Sequence, residues 1–225
     1  MCGVSDREEH HVDAEDPART SDAWRELTEW LRTHAPNSYA SVLPPAPGTE
    51  IAAARSRLQE YCSYAIPSEL VGLWALAGGT RQIDLDEYDE EGEVASGRFL
   101  PHGLLLTPGQ SIRPRLAGFD RHGKDYWEGA RWVAPFGNYA EATDAGLYLS
   151  DEGLGEWTSF EGMFMTEPRY PSIAAYVEAV VRTITRGPAD LMGAQVPGVV
   201  YGCLVWQDPR QPRLDETHAD WRPVH

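Results

Sequence analysis

Two stretches of this chain hold enough ionisable side chains at short spacing to do chemistry or to bind charge. The first is "DLDEYDEEGE", residues 84–93, which packs Asp84, Asp86, Glu87, Asp89, Glu90, Glu91 and Glu93 around Tyr88. Seven carboxylates in ten residues repel one another, so they gain from a cation or a basic surface. A calcium loop wants acids at its first, third and fifth positions and glycine at its sixth. Counted from Asp84, those last two positions hold Tyr88 and Asp89, so the pattern fails. A solvated loop and a docking element for a basic protein remain. Tyr88 favours docking, because aromatic residues carry much of the energy of protein interfaces. The second stretch is "DRHGKD", where Asp120, His122, Lys124 and Asp125 fall in a turn-like segment. A hydrolase built on Asp120 and His122 is one reading. Local hydrogen bonding in a turn is the other.

Other catalytic signatures are missing from the sequence. It has no nucleophile elbow, HExxH pair, phosphate-cradling loop or dinucleotide fingerprint. Cys2, Cys62 and Cys203 are far apart and lack zinc-ligand spacing, so neither a metal nor a cofactor is expected. A reducing cytoplasm suits them, with Cys62 as a small core residue. The net charge of −16 opposes binding to nucleic acid or an anionic membrane. No apolar run is long enough to span a bilayer, and the first twenty residues carry no secretory h-region. Lys124 is the one lysine; the other cations are arginines, suited to bidentate carboxylate pairing.

The elements that must position these stretches follow from periodicity. Residues 1–20 are polar and acidic and read as a flexible tail. From Ser21, a candidate cap, Ala23, Trp24, Leu27, Trp30 and Leu31 recur at helical spacing until Pro36 and the prolines at 44, 45 and 47. Thr49 opens a second helix with Ile51, Ala54, Leu58 and Tyr61 on one face. "IPSELVGLWALAGG", residues 66–79, is a third, with Pro67 at its start, Leu70, Leu73, Trp74 and Ala77 on one face, and Gly78-Gly79 at its end. "RFLPHGLLL", "RWVAPF", "GLYLSD", "EWTSF" and "GMFMTEP" are short strand-like segments between turn residues, with Trp127, Trp132 and Trp157 as candidates to edge a concave sheet surface. Ser172 caps a closing helix with an apolar stripe from Ile173 to Ile184, ended by Gly187-Pro188. "VPGVVYGCLVW" adds a possible strand before a polar tail. The expectation is an α+β domain: three N-terminal helices, a mostly antiparallel or mixed central sheet, and a C-terminal helix packed on one face. It spans residues 21–186, with 187–225 as an extension.

The order of these blocks resembles the SUKH superfamily, the Smi/Knr cell-wall-regulator family. Ile66-Pro67, Leu70, Trp74 and Gly79 match its first block; Trp132, Pro135, Gly137, Leu147, Leu149, Asp151 and Gly153 match its second. The resemblance covers roughly residues 20–186. It implies a binding module without catalytic chemistry. Many bacterial members are immunity proteins that neutralise a cognate nuclease or deaminase toxin. The alternative is a regulatory scaffold of the Smi/Knr type, binding an endogenous signalling or cell-wall partner. On the toxin reading the partner is a basic domain, met by the acidic stretch at Asp84–Glu93.

Overall fold

The computed structural model describes residues 17–83, 85, 94, 96–119, 123–140, 143–160, 162–187, 195–207 and 221–225. The chain is α+β. Helices α1 (Pro17–His34), α2 (Pro36–Ala40), α3 (Gly48–Cys62) and α4 (Ser68–Trp74) come first. They are followed by β1 (Leu104–Leu105), α5 (Pro108–Ala117), β2 (Val133–Gly137), β3 (Ala145–Ser150), β4 (Gly153–Thr158), β5 (Phe164–Met165) and α6 (Ile173–Arg186). Strands β6 (Val196–Val200), β7 (Cys203–Gln207) and β8 (Arg222–Pro223) close the chain. Among the described residues no helix is long and apolar enough to cross a membrane.

Helix α6 is the spine. Its buried positions, including Ile173, Tyr176, Val177, Val180 and Ile184, are the stripe its sequence displays. The Ser172 hydroxyl accepts from the Ala175 N–H, and Gly187 ends the helix at φ 101°. A second acceptor reaches the same end from outside the helix. The buried Glu69 carboxyl of α4 accepts from the Ile173 N–H at 2.9 Å and so satisfies one of the amides at the start of α6. α1 lies along α6, with Trp24, Leu27 and Leu31 buried and Arg19 paired to Glu178 at 2.6 Å.

β1 to β5 pair in sequence order, antiparallel throughout. Alternation gives the sheet two apolar faces. Phe136, Leu147, Leu149 and Leu154 join the helices in the main core. Ala134, Tyr148 and Trp157 point the other way and pack with Trp127 and Trp132. Pro135 lies inside the register irregularity between Val133 and Phe136, where a strand tolerates a residue without an N–H. Gly155 lies beneath the Tyr148 ring; a Cβ there would stand 2.5 Å from it.

The structure corrects the sequence reading at several helix ends. α1 begins at Pro17, so Ser21 lies inside it and donates from its hydroxyl to the Pro17 carbonyl at 2.8 Å. Residues 17–20 therefore belong to a helix and not to the tail. Pro36 starts α2, a first-turn role that proline fills well, as well as ending α1. α3 begins at Gly48, one residue before Thr49, and Tyr61 is 53% exposed, leaning on Phe119 instead of the core. α4 stops at Trp74, short of the two glycines. α5 was not anticipated at all: Thr107 and Gln110 form a full capping box, but Pro114 interrupts the helical texture.

Replacing Glu69 by alanine is expected to cost about 1–3 kcal/mol, because the Ile173 N–H loses its buried acceptor. In thermal denaturation this reads as a melting point lower by roughly 2–10 °C, with Glu69→Gln retaining most of the stability because its amide oxygen still accepts.

Candidate functional site

Asp84, Asp86, Glu87, Tyr88, Asp89, Glu90, Glu91 and Glu93 lie outside the described residues; what the structure gives is how the chain is held on either side of them. Before the stretch, the Ile83 N–H donates to the Ser96 hydroxyl at 2.9 Å and the Gln82 side-chain amide to the Val94 carbonyl at 3.0 Å. Leu85 and Val94 are buried with Val200 and Cys203 of the C-terminal hairpin. The hairpin is itself fixed by polar contacts to α2. The buried Ser38 hydroxyl donates to the Ser96 carbonyl at 3.0 Å and accepts from the Leu204 N–H at 3.0 Å. The Asn37 amide donates to the Tyr201 carbonyl at 2.7 Å. Both entry and exit of the acidic stretch are thus fastened to one joint between α2, residue 96 and β7.

That joint depends on a tight turn. β6 and β7 are joined by Tyr201-Gly202, both at positive φ (49° and 69°), with Val200 facing Cys203. A two-residue turn of this hand matches the twist of paired strands. The single strand expected in "VPGVVYGCLVW" is therefore a hairpin, and "Tyr-Gly" between two valine-rich runs was its signal. Cys203 is fully buried, while Cys62 is only partly so and rests against the main core; burial pushes its thiol up.

In "DRHGKD", Asp120 and His122 also lie outside the described residues. Asp125 is committed to structure. The Arg115 guanidinium, 1% exposed, grips it with both nitrogens at 3.0 and 2.6 Å, and donates from Nε to the Ala130 carbonyl at 2.7 Å. The same carboxylate accepts from the N–H groups of Trp127 and Gly129. Burial pushes the Asp125 carboxyl up, but these donors outweigh it and leave it below the ordinary range. A carboxylate with that many donors fastens a turn and is not free to move protons. Lys124 sits over the Tyr126 ring, 5.0 Å from its centre.

The tryptophans offered for a concave surface are core. Trp127, Trp132 and Trp157 are at most 6% exposed, with ring centres 5.0–6.3 Å apart. Trp74 is equally buried and donates from its indole N–H to the Leu106 carbonyl at 3.0 Å. Trp30 is only partly buried, against His34.

One titratable cluster escaped the sequence reading. His102, just before β1, holds its Nδ1 at 3.1 Å from the Tyr176 hydroxyl of α6 and its Nε2 at 3.8 Å from Glu156 of β4. Arg169 donates to the same Glu156 oxygen at 3.1 Å. The His102 ring, with Arg169, holds the Glu156 carboxyl down at about 2 against the push of burial. Burial sends the Tyr176 phenol far up, so it is neutral and structural. A carboxylate at an inward position of β4, two residues from Leu154, was the visible signal; its partners 54 and 13 positions away were not. The cluster ties β1, β4 and α6 together. Among the described residues no group of three or more His, Cys, Asp or Glu side chains could hold a metal ion.

Because the folded Glu156 carboxyl sits at about 2 instead of 4.5, its stabilising effect is present above pH 4.5 and is lost as pH falls toward 2. The Glu156 side chain is 42% exposed, so solvent screening keeps the effect small. Urea midpoints measured across this range are expected to fall less steeply in Glu156→Gln than in the unaltered chain. Identical slopes would show that Glu156 carries no net pairing energy.

No protein-family model matches this chain, and no curated protein sequence matches it.

Proposed function

We propose that this chain is a protein-binding module of the SUKH kind, working in the cytoplasm as an immunity protein that binds and neutralises a basic toxin domain of the nuclease or deaminase type. The observation that carries the reading is the stretch 84–93: seven carboxylates, no lysine or arginine among its ten residues, and both ends anchored at a buried joint. An enzyme that cuts or edits nucleic acid presents a cationic cleft to phosphates. A run of carboxylates is the chemical mimic of that phosphate backbone. It steers the two proteins together and occupies the cleft. The α+β architecture, with a closing helix on one face of an antiparallel sheet, is compatible with the family resemblance carried by Trp74, Trp132, Leu147 and Leu149.

The test is co-purification with the protein encoded beside this chain's gene, its toxic activity first disabled by mutation. A stable complex that blocks the active toxin is expected. Neutralising four acids with Asp86→Asn, Glu87→Gln, Asp89→Asn and Glu90→Gln should weaken binding about tenfold or more at low salt and flatten its salt dependence. The melting point should stay within roughly 2 °C, since surface substitutions change stability little. Affinity that is unchanged across a salt series rejects the electrostatic role, and a neighbour without toxicity rejects the immunity reading.

A further inference from the structure

The end of the five-stranded sheet where β2 gives way to β3 and β4 to β5 has an unusual surface. In an all-antiparallel order these two connections leave the sheet side by side. They are tied: the Ser159 N–H donates to the Asp144 carbonyl at 2.7 Å, and the Ser159 hydroxyl reaches the same oxygen at 3.4 Å. The first turn is also held by Asn138, whose side-chain oxygen accepts from the N–H groups of Asp144 and Ala145 at 3.2 and 3.3 Å. Asn138, Asp144, Ala145 and Ser159 are therefore held together by hydrogen bonds where the two connections meet the strands.

They carry large apolar side chains into solvent. Tyr139 is 54% exposed, Phe160 68%, Met163 42% and Phe164 59%. Among the described residues no other phenylalanine or methionine is exposed; the remaining exposed aromatics are the tyrosines at 39, 61 and 126. Single exposed apolar residues need no explanation, but three within five positions, beside a fourth on the adjoining turn, do. The two edges of the sheet differ as well. β1 is closed off by Thr80, which donates from its N–H to the Leu105 carbonyl at 2.8 Å and accepts from the Leu105 N–H at 3.2 Å. β5 ends the sheet on the other side and presents Phe164 there, where natural sheets set charge or proline to prevent pairing.

Charge selects the occupant. A second copy would bring another −16 to the same surface, which opposes self-association. The two connections are acidic in sequence: Glu141 and Asp144 fall in the first and Glu161 in the second. Arg98 lies over the Tyr139 ring at 5.5 Å. An apolar centre within acidic surroundings fits a basic protein surface that has an apolar depression at its middle.

We propose that the joined β2–β3 and β4–β5 turns, through Tyr139, Phe160, Met163 and Phe164, are the docking surface for such a positively charged protein. This deepens the protein-binding reading and rests on it. The probe is the disabled protein encoded beside this chain's gene, with the full chain as the other component. Phe160→Ser with Phe164→Ser should weaken the complex about thirtyfold or more while leaving the melting point unchanged. Tyr139→Ser alone, on the other turn, should weaken it as well and serves if the double variant does not fold. Backbone amides of 138–140, 143–144 and 158–165 should gain protection from hydrogen exchange in the complex. A complex that forms normally with both variants overturns this surface and leaves the immunity reading standing. Absence of any complex with the unaltered chain overturns both. A concentration-dependent dimer that the phenylalanine variant dissolves would assign the surface to a second copy and overturn the basic partner.

Discussion

A twisted sheet buried on both faces needs two covers, and this chain has one set of long helices to supply them. α1, α4 and α6 cover the face bearing Leu147, Leu149 and Leu154. The second face is hidden by the irregular segment that carries Trp127 and Trp132, laid over Tyr148, Trp157 and Leu104. Loops have no repeating backbone ladder to hold them, so a loop used as a lid needs a specific fastener. The bidentate Arg115–Asp125 pair is that fastener, with the Ala130 carbonyl and the N–H groups of Trp127 and Gly129 as its further contacts. A buried ion pair is poor evidence for net stability but strong evidence for a unique arrangement, because removing one partner strands the other charge. Among the described residues the indole N–H groups of Trp127, Trp132 and Trp157 find no acceptor. Trp127 packs nearly perpendicular to Trp132 and Trp157 and offers ring edge to ring face, a weak substitute, so the cluster holds by apolar area.

The same logic recurs wherever irregular chain meets the core. Glu69 fixes the start of α6, Ser38 fixes β7 to residue 96, and His102 with Glu156 fixes the approach to β1. Each joins segments distant in sequence through a buried or half-buried polar group. Two of these joints lie beside the proposed binding segments. The Ser38 joint sets where the chain enters and leaves the acidic stretch, and the His102 joint steadies β4 behind the exposed β4–β5 turn. Binding elements displayed from fixed points lose less freedom on association than elements on free ends.

Local texture was enough for the elements whose signal is repeated. α6 reads directly from its valine and isoleucine stripe and its serine cap, and the strands from β2 to β5 read from short aromatic runs between turn residues. The five residues of α2 and the proline-bearing α5 fell below that threshold, because one turn of helix offers no second period to confirm the first. The tryptophans were legible as apolar but not as a single cluster, since their meeting depends on a loop folding back. Asp125 looked available in sequence; its partner Arg115 stands ten positions earlier on an unrecognised helix. The acidic stretch at Asp84–Glu93 was legible as charge, with no period to give it a shape.

Net charge of −16 strains a compact chain through self-repulsion, and the folded region answers by pairing locally. Arg19 meets Glu178, Arg115 meets Asp125 and Arg169 meets Glu156. Seven of the 35 acidic residues are concentrated in the ten positions 84–93, a run with no lysine or arginine of its own. Carboxylates left uncompensated act over about a Debye length, roughly 8–10 Å, and so govern how fast a cationic partner arrives. Aromatic contacts act only at van der Waals distance and govern how long it stays. On the proposed immunity reading the chain needs both terms, and they need not share a residue. On that reading the acidic sequence of residues 84–93 supplies the range, and the exposed side chains of the Phe160–Phe164 turn supply the strength.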